Sequence, residues 1–524
     1  MNDDYVKFIR LAQYYIEKNN NGVIGFINPH GFLDGLTFRG MRWNLLKTFD
    51  KIYTINLHGN SKRSESGEEG LKDENVFDIQ QGVSINLFIK TGEKDANELG
   101  HVYYKDLYGS RIGKYNFLQD NSLQSVGYQE LNPTAPNYFF VPKNFDLEDE
   151  YNSFFKIEDL FIKNGVGICS KRDAIAFQDE REKLVSILKD YKELSESEVK
   201  TKYQITSESA DNKISKAQDN VKEYGIKDKY ITEAYYRPFD KKYTYLSPSK
   251  GFLARPVYPI MNHLQKENVA MGVCKQSATD LPWCLVLASS CPADMCYVSG
   301  RTREGSYFFP LYLYQENMGQ EERIVNFNKE LYDKIAEGLN YLPCYDDNVL
   351  VDPISDYNGV LYPQDLFDYI YAVLHSPSYR ERYKEFLKID FPRIPYPTDW
   401  EKFRDLAELG EELRQLHLME DMPSKLGVSF PVSGTLQVDC YRWENNRVYI
   451  NSEQYFEGVP ESAWNFYIGG YQPAQKWLKD RKGMTLSFED VKHYKQIIYV
   501  LQQTERIMGE IDKILSIGID LINA

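Results

Sequence analysis

No apolar run in the sequence approaches the roughly 18 to 20 residues that a membrane-spanning helix needs. The opening residues, Met1-Asn2-Asp3-Asp4, are acidic where a secretory signal is basic. A cytoplasmic protein without membrane association is therefore expected. Paired cysteines are missing too. The seven cysteines (Cys169, Cys274, Cys284, Cys291, Cys296, Cys344 and Cys440) are odd in number and show no C-x-x-C spacing, which argues against a zinc ribbon or a disulfide framework. Cys284, Cys291 and Cys296 cluster loosely and read as buried thiols, and His30, His58 and His375 lack metal-ligand spacing and read as structural histidines. Positive charge is also scarce, with 62 Lys+Arg against 77 Asp+Glu and a net charge of −15. Neutralised phosphates supply most non-specific nucleic-acid affinity, so a polyanion can meet this chain only where cations gather locally.

Such places exist. The 524 residues are enough for two or three domains, each with its own core. Residues 235–258 hold Arg237, Lys241, Lys242, Lys250 and Arg255 against one acid, Asp240, and interleave these five cations with seven aromatics. Lys476, Lys479, Arg481 and Lys482 gather around Trp477. Each cluster can serve a phosphate backbone or simply be a solvated basic face. The 41 tyrosines suit surfaces where an apolar ring meets a polar partner.

Apolar periodicity places a helix over residues 4–18 and a buried strand at Val23 to Ile27, then a helix from Arg39 to Phe49 and strands at Ile52 to Leu57 and Val83 to Ile89. The last two strands can pair as a hairpin across the polar, glycine-containing stretch Gly59 to Gly82. Val23 to Ile27 reads as an interior strand of a parallel sheet with nothing upstream to flank it, so the sheet looks cut. Residues 94–160 read as an irregular connector, 178–223 as a charged helical hairpin, and 235–314 as β-rich. Helices return after Pro363, with Thr398 and Asp399 as capping candidates and a capping box, Ser487-x-x-Asp490, before the last helix. The fold class expected is α/β followed by α+β: a truncated Rossmann-like sheet, then a mixed domain with a helical C-terminal part.

Several strings carry a resemblance. Val23-Ile-Gly-Phe-Ile27, Phe38-Arg-Gly-Met-Arg42, Lys72-Asp-Glu-Asn-Val-Phe-Asp-Ile-Gln-Gln-Gly82, Tyr236-Arg-Pro-Phe-Asp240, Phe309-Pro-Leu-Tyr-Leu313, Asp368-Tyr-Ile-Tyr-Ala-Val-Leu-His-Ser376 and Ile468-Gly-Gly-Tyr-Gln-Pro-Ala-Gln-Lys-Trp-Leu478 span nearly the whole chain. Together they resemble the C-terminal half of the Type ISP and related Type IIG restriction-modification enzymes. The resemblance implies the end of an N6-adenine DNA methyltransferase domain (residues 1–115), a connector (116–156), and a β-rich target recognition domain (157–362) with its helical part (363–524). It implies double-stranded DNA as partner, and an upstream methyltransferase and nuclease half in cis or in trans. The glycine-rich turn for S-adenosylmethionine and the Asn-Pro-Pro-Tyr motif are absent from this sequence. The cofactor is therefore expected in the complete enzyme and not on this chain, which alone is expected to be inactive. A free-standing specificity subunit without methylation is the alternative.

The resemblance makes Phe77 the candidate for stacking on a flipped base, against a plain role as a loop anchor. Asp73 and Asn75 read either as residues that order this loop or as ordinary turn polarity. Phosphate or base contacts are assigned to Arg237, Lys241, Lys242, Lys250, Arg255, Arg301, Arg303, Lys476 and Lys479. Arg237 also has an architectural reading, paired with Asp240. Asn28-Pro29-His30 follows a strand but matches a later strand of the family rather than its catalytic motif.

Overall fold

The computed structural model describes residues 3–60, 73–95, 97–277, 279, 281–317, 319–346 and 358–519. Residues 61–72, including the Lys72 that opens the Lys72 to Gly82 string, lie outside the described residues. The fold is mixed α/β with open sheets, and it divides into two compact units: residues 1–146 with 279–281, and residues 147–278 with 282–524.

The first unit is built on helices α1 (Asp4–Asn19) and α2 (Arg39–Thr48) and strands β1 (Gly22–Pro29), β2 (Lys51–Asn56), β3 (Val83–Lys90), β4 (His101–Asp106) and β5 (Gln129–Leu131). The strand order is β1-β3-β2-β4-β5. As the sequence suggests, β2 and β3 pair antiparallel, with Ile52 opposite Phe88. The strand β1 lies at the edge of the described sheet, as the cut-sheet reading has it, but differs from expectation in direction: it pairs antiparallel with β3 rather than parallel. Its alternation explains why the sequence misleads, since both faces of the strand are apolar and only one is covered. Ile24 joins Ile9, Leu45, Leu46, Phe49, Ile52, Phe88 and Val102 in the core under α1 and α2. Val23 and Ile27 point to the opposite face and are 61% and 51% exposed.

The stretch read as a connector holds more order than expected. It contains β4, which runs parallel to β2, and helix α3 (Arg111–Asp120), capped by Ser110 accepting from the Gly113 amide. The helix escapes a periodicity search because the residue it buries fully is a charged one, Lys114, rather than an apolar stripe.

In the second unit, residues 178–223 contain three helices, α4 (Arg181–Glu193), α5 (Glu196–Lys202) and α6 (Ile214–Tyr224), where the charge pattern suggests two. Short strand β6 (Gly165–Val166) joins a four-stranded sheet with β9 (Ala270–Cys274), β10 (Val286–Ser289) and β11 (Ser306–Pro310). The basic-aromatic stretch forms the hairpin β7 (Ile231–Arg237) and β8 (Asp240–Tyr245), paired antiparallel with a bulge between Tyr235 and Arg237. Helices α7 (Pro363–His375) and α8 (Trp400–Leu418) follow, the latter capped by Asp399, which accepts from the Glu401 and Lys402 amides. After α9 (Pro473–Asp480) comes α10 (Phe488–Ile519). Its capping box forms: the Asp490 amide donates to Ser487 Oγ at 3.1 Å and the Ser487 amide to Asp490 Oδ2 at 2.8 Å. Tyr494, Ile498, Leu501 and Ile511 of α10 are buried along one stripe.

Candidate nucleic-acid interface

The sequence-predicted residues fall into two groups, one in each unit. In the first unit β2 ends at Asn56, and the chain turns through His58 and Gly59, both with positive φ. A Cβ on Gly59 would fall 2.4 Å from Asn75 Cα, so only glycine permits the close approach of this turn to residues 73–82. Asn75 holds the segment: its Nδ2 donates to the carbonyls of Gly59 (3.0 Å) and Gln81 (2.7 Å), and its Oδ1 accepts from the Phe77 amide (2.9 Å). Val76 turns inward and is buried, while the Phe77 ring remains 43% exposed. Phe77 lines a cavity of about 660 Å³ with Asn75, Asp78, Ile79, Arg111 and Ile112.

Helix α3 grips the same segment from below. Lys114 Nζ donates to the carbonyls of Leu57 (2.7 Å) and Glu74 (2.6 Å) and pairs with Asp73 at 2.8 Å, and both side chains are 0% exposed. Asp73 also accepts from the Gly109 amide at 2.7 Å. Asp73 and Asn75, read from sequence as loop order or turn polarity, do order it. Lys114 and Arg111 escape sequence reading because they sit in the presumed connector; a signal was available in the spacing of Arg111, Lys114 and Tyr115 around Phe117 and Leu118.

The strand ends beside this loop carry a buried polar network. His30 Nδ1 lies 2.9 Å from Asn56 Oδ1, Asn56 Nδ2 donates to Tyr104 Oη at 3.0 Å, and Tyr104 donates in turn to Asp106. Burial, reinforced by Asp106, drives the Tyr104 hydroxyl far above its ordinary pKa, which keeps it a donor. His58 Nε2 meets Asp106 at 2.6 Å, and its ring stacks on Tyr108. The Asn28 side-chain amide accepts from Asn86 and donates to the Pro29 carbonyl, both at 2.9 Å. His30 packs so closely on Gly82 that a Cβ there would meet its ring at 2.5 Å.

In the second unit the basic residues fall into two classes. Arg237 is 12% exposed; it pairs with Asp294 at 3.0 Å and Asp173 at 3.4 Å and lies over the Tyr236 ring at 3.8 Å. Its partner is therefore not Asp240, which pairs instead with Arg481 at 2.9 Å. Burial pushes the Asp294 carboxyl up to about 6 against the pull of Arg237. Arg481 lies over Trp477 at 3.8 Å, and His493 Nε2 meets the Phe239 carbonyl at 2.7 Å. The Ile468 to Leu478 string completes this interlock. A Cβ on Gly469 would fall 1.9 Å from the Val298 carbonyl oxygen, and Tyr471 donates to the Cys296 carbonyl at 2.8 Å. Lys242 pairs with Asp179 at 2.9 Å, Lys476 pairs with Asp480, and Arg255 lies 3.9 Å from Asp211. Arg301 is half-buried.

Four sequence-predicted cations have no acidic partner among the described residues: Lys241, Lys250, Arg303 and Lys479, all exposed. Lys241 lies 4.7 Å over the Tyr235 ring, and Arg303 has φ +78°, which aims its loop by a strained backbone rather than by a pairing. Unpaired cations are the ones whose charge remains for a polyanion. No group of metal-ligating residues exists among the described residues, and no helix there is long and apolar enough to cross a membrane.

The model of the Type ISP C-terminal specificity domain matches residues 159–510. The fold is similar to that of the ATP-dependent Type ISP restriction-modification enzyme LlaBIII bound to DNA, with 21% identity and a TM-score of 0.75 over 98% of this chain and 34% of that one. It is similar also to the DrdV–DNA complex, with 20% identity and a TM-score of 0.73 over 97% of this chain and 52% of that one. A nuclease-deletion mutant of the Type ISP restriction-modification enzyme LlaGI, in complex with a DNA substrate mimic, gives 21% identity and a TM-score of 0.69 over 97% and 40%. The chain thus spans between 34% and 52% of the length of these three solved chains. No curated protein matches it.

Proposed function

The chain belongs to the Type ISP C-terminal specificity domain family, and on this premise we propose that it is the sequence-reading portion of a restriction-modification N6-adenine DNA methyltransferase. The observation that carries the reading is fold likeness over 97% or 98% of the chain to three proteins solved with DNA or a DNA mimic, two of them Type ISP restriction-modification enzymes. On this reading Lys241, Lys250, Arg303 and Lys479 meet phosphates or base edges of a duplex. The paired set around Arg237 and Arg481 fixes the β7–β8 hairpin from which Lys241 projects.

The first unit serves, on this reading, as the closing part of a Rossmann-like methyltransferase sheet. A mostly parallel sheet of that class carries helices on both faces. Here α1 and α2 cover one face and Phe117 and Leu118 of α3 pack with Ile55, Val83 and Ile85 on the other, while Val23 and Ile27 of the edge strand stay exposed, as do Phe8, Leu11 and Tyr15 on α1. Apolar surface of this kind is suited to further polypeptide, and the methyltransferase half, in cis or in trans, is the occupant we assign. Phe77 then stacks on the flipped target base, replacing the neighbours the base loses on leaving the helix.

We propose that the strand-end residues of this unit do not hold S-adenosylmethionine. The strand-end amide of Asn28 is engaged by Asn86 and Pro29, and the His30 ring is packed against Gly82. We therefore assign the cofactor and the groups that hold the adenine amino group to the completing half, and derive no catalytic step for this chain. Calorimetry of the chain with S-adenosylmethionine should give no binding, and a micromolar Kd would overturn this division. Duplex binding should weaken linearly with salt on logarithmic axes; a chain that does not bind duplex DNA at low salt would overturn the whole reading.

A further inference from the structure

Phe77 is exposed, yet the backbone that carries it is held at every carbonyl from residue 74 to 77. Lys114 takes the carbonyl of Glu74 at 2.6 Å, Arg111 Nε that of Asn75 at 2.8 Å, Tyr115 Oη that of Val76 at 2.6 Å, and Arg111 Nη2 that of Phe77 at 3.1 Å. Arg111 Nη2 also pairs with Asp78 at 2.8 Å, and the Arg111 amide donates to Glu74 Oε2 at 2.9 Å. Four consecutive carbonyls captured by one helix turn is far more restraint than a surface loop needs for stability, since exposed loops tolerate local opening. It is the restraint an aromatic face needs if a planar ligand is to find it already placed, because ordering costs are then met before binding.

We propose that Arg111 is a positioning residue: a latch on α3 that fixes the Phe77 ring for an unstacked nucleobase. This inference rests on the stacking role given to Phe77 above. The planar guanidinium suits the task because its fork reaches two carbonyls and a carboxylate at once, which a lysine ammonium at the end of a flexible stem does not. Lys114 is the buried foundation and Arg111 the adjustable part, with its side chain 37% exposed. Loss of Arg111 therefore frees the Phe77 backbone without opening the core.

The test uses the whole chain and duplex DNA carrying 5-iodouracil opposite a mismatched base, where extrusion costs least. Photo-crosslinks are mapped by mass spectrometry, with duplex Kd and thermal midpoint measured alongside. The wild type should crosslink at Phe77. Arg111→Ala should lower that yield roughly fivefold or more, as expected for losing hydrogen bonds that hold a single geometry, with Kd and midpoint nearly unchanged. Arg111→Lys should recover only part of it, and Asp78→Asn should give a smaller loss of the same sign. If Arg111→Ala keeps the full Phe77 crosslink, the latch is wrong while the stacking role stands. If the wild type gives no crosslink at Phe77, the stacking role is wrong and the latch falls with it.

Discussion

The two units bury charge in the same way and expose different chemistry. In the first, Lys114 and Asp73 form a fully buried pair under the Phe77 loop. In the second, Arg237 and Arg481 are likewise sunk into acids and aromatic faces beneath the β7–β8 hairpin. Above these foundations the surfaces diverge. The first unit presents Phe8, Leu11, Val23 and Ile27, and the second presents Lys241, Lys250, Arg303 and Lys479 without acid partners. Apolar surface suits protein and unpaired cations suit phosphate, so on the proposed reading the apolar face of the first unit takes polypeptide, its Phe77 loop takes the flipped base, and the cations of the second unit take the DNA backbone. The contrast also shows why a net charge of −15 does not argue against nucleic acid. What counts is which cations are left unneutralised; Arg237 and Arg481 pair with the buried acids Asp294 and Asp240, and Lys242 and Lys476 with the more exposed Asp179 and Asp480.

The largest expected effect tests the shared foundation. Arg237→Ala and Lys114→Met each leave a buried carboxylate unpaired, a change that costs about 3–5 kcal/mol. Denaturant melts should show both variants strongly destabilised; a loss near zero in either would mean that its pair is not structural. Next comes the contrast in exposed surface. Amides of β1 should exchange with solvent roughly tenfold faster or more than those of β9, because an edge strand with one uncovered face opens more easily than a strand with neighbours on both sides. Adding the methyltransferase half should slow β1 and leave β9 unchanged. Equal exchange in the isolated chain would remove the case for a missing cover.

The smallest effect on stability is also the sharpest on function. Replacing Lys241, Lys250, Arg303 and Lys479 with Ala should each change stability by less than about 0.5 kcal/mol. Each that contacts a phosphate should lower the salt slope of duplex binding by about 0.9. Lys242→Ala and Lys476→Ala should lower it less, because Asp179 and Asp480 already neutralise those charges. If the paired set moves the slope as much as the unpaired set, pairing is no guide to the interface.

Much of this architecture is legible in the sequence, and the reasons are local. The β2–β3 hairpin follows from two apolar runs, and the Asp399 cap and the Ser487 to Asp490 box follow from short-range side-chain chemistry. What is not legible is long-range. The antiparallel direction of β1 depends on which strand pairs with it, and its all-apolar run reads equally well as a parallel strand covered on both faces. Helix α3 is hidden because its key inward side chain is a lysine whose acid lies 41 residues away in sequence. The Arg237 partner is missed for the same reason: the nearby Asp240 looks sufficient, whereas the fold brings in Asp294 and Asp173. Composition finds the basic-aromatic stretch, but only geometry separates the cations that build it from those left over.

The central claim is that this chain reads a DNA sequence, and selection from a randomised duplex pool tests it most directly. The account predicts that repeated binding to the purified chain enriches one recurrent sequence, held roughly a thousandfold or more tighter than a scrambled duplex at physiological salt. A folded chain that binds every duplex alike, with no sequence enriched, would contradict it.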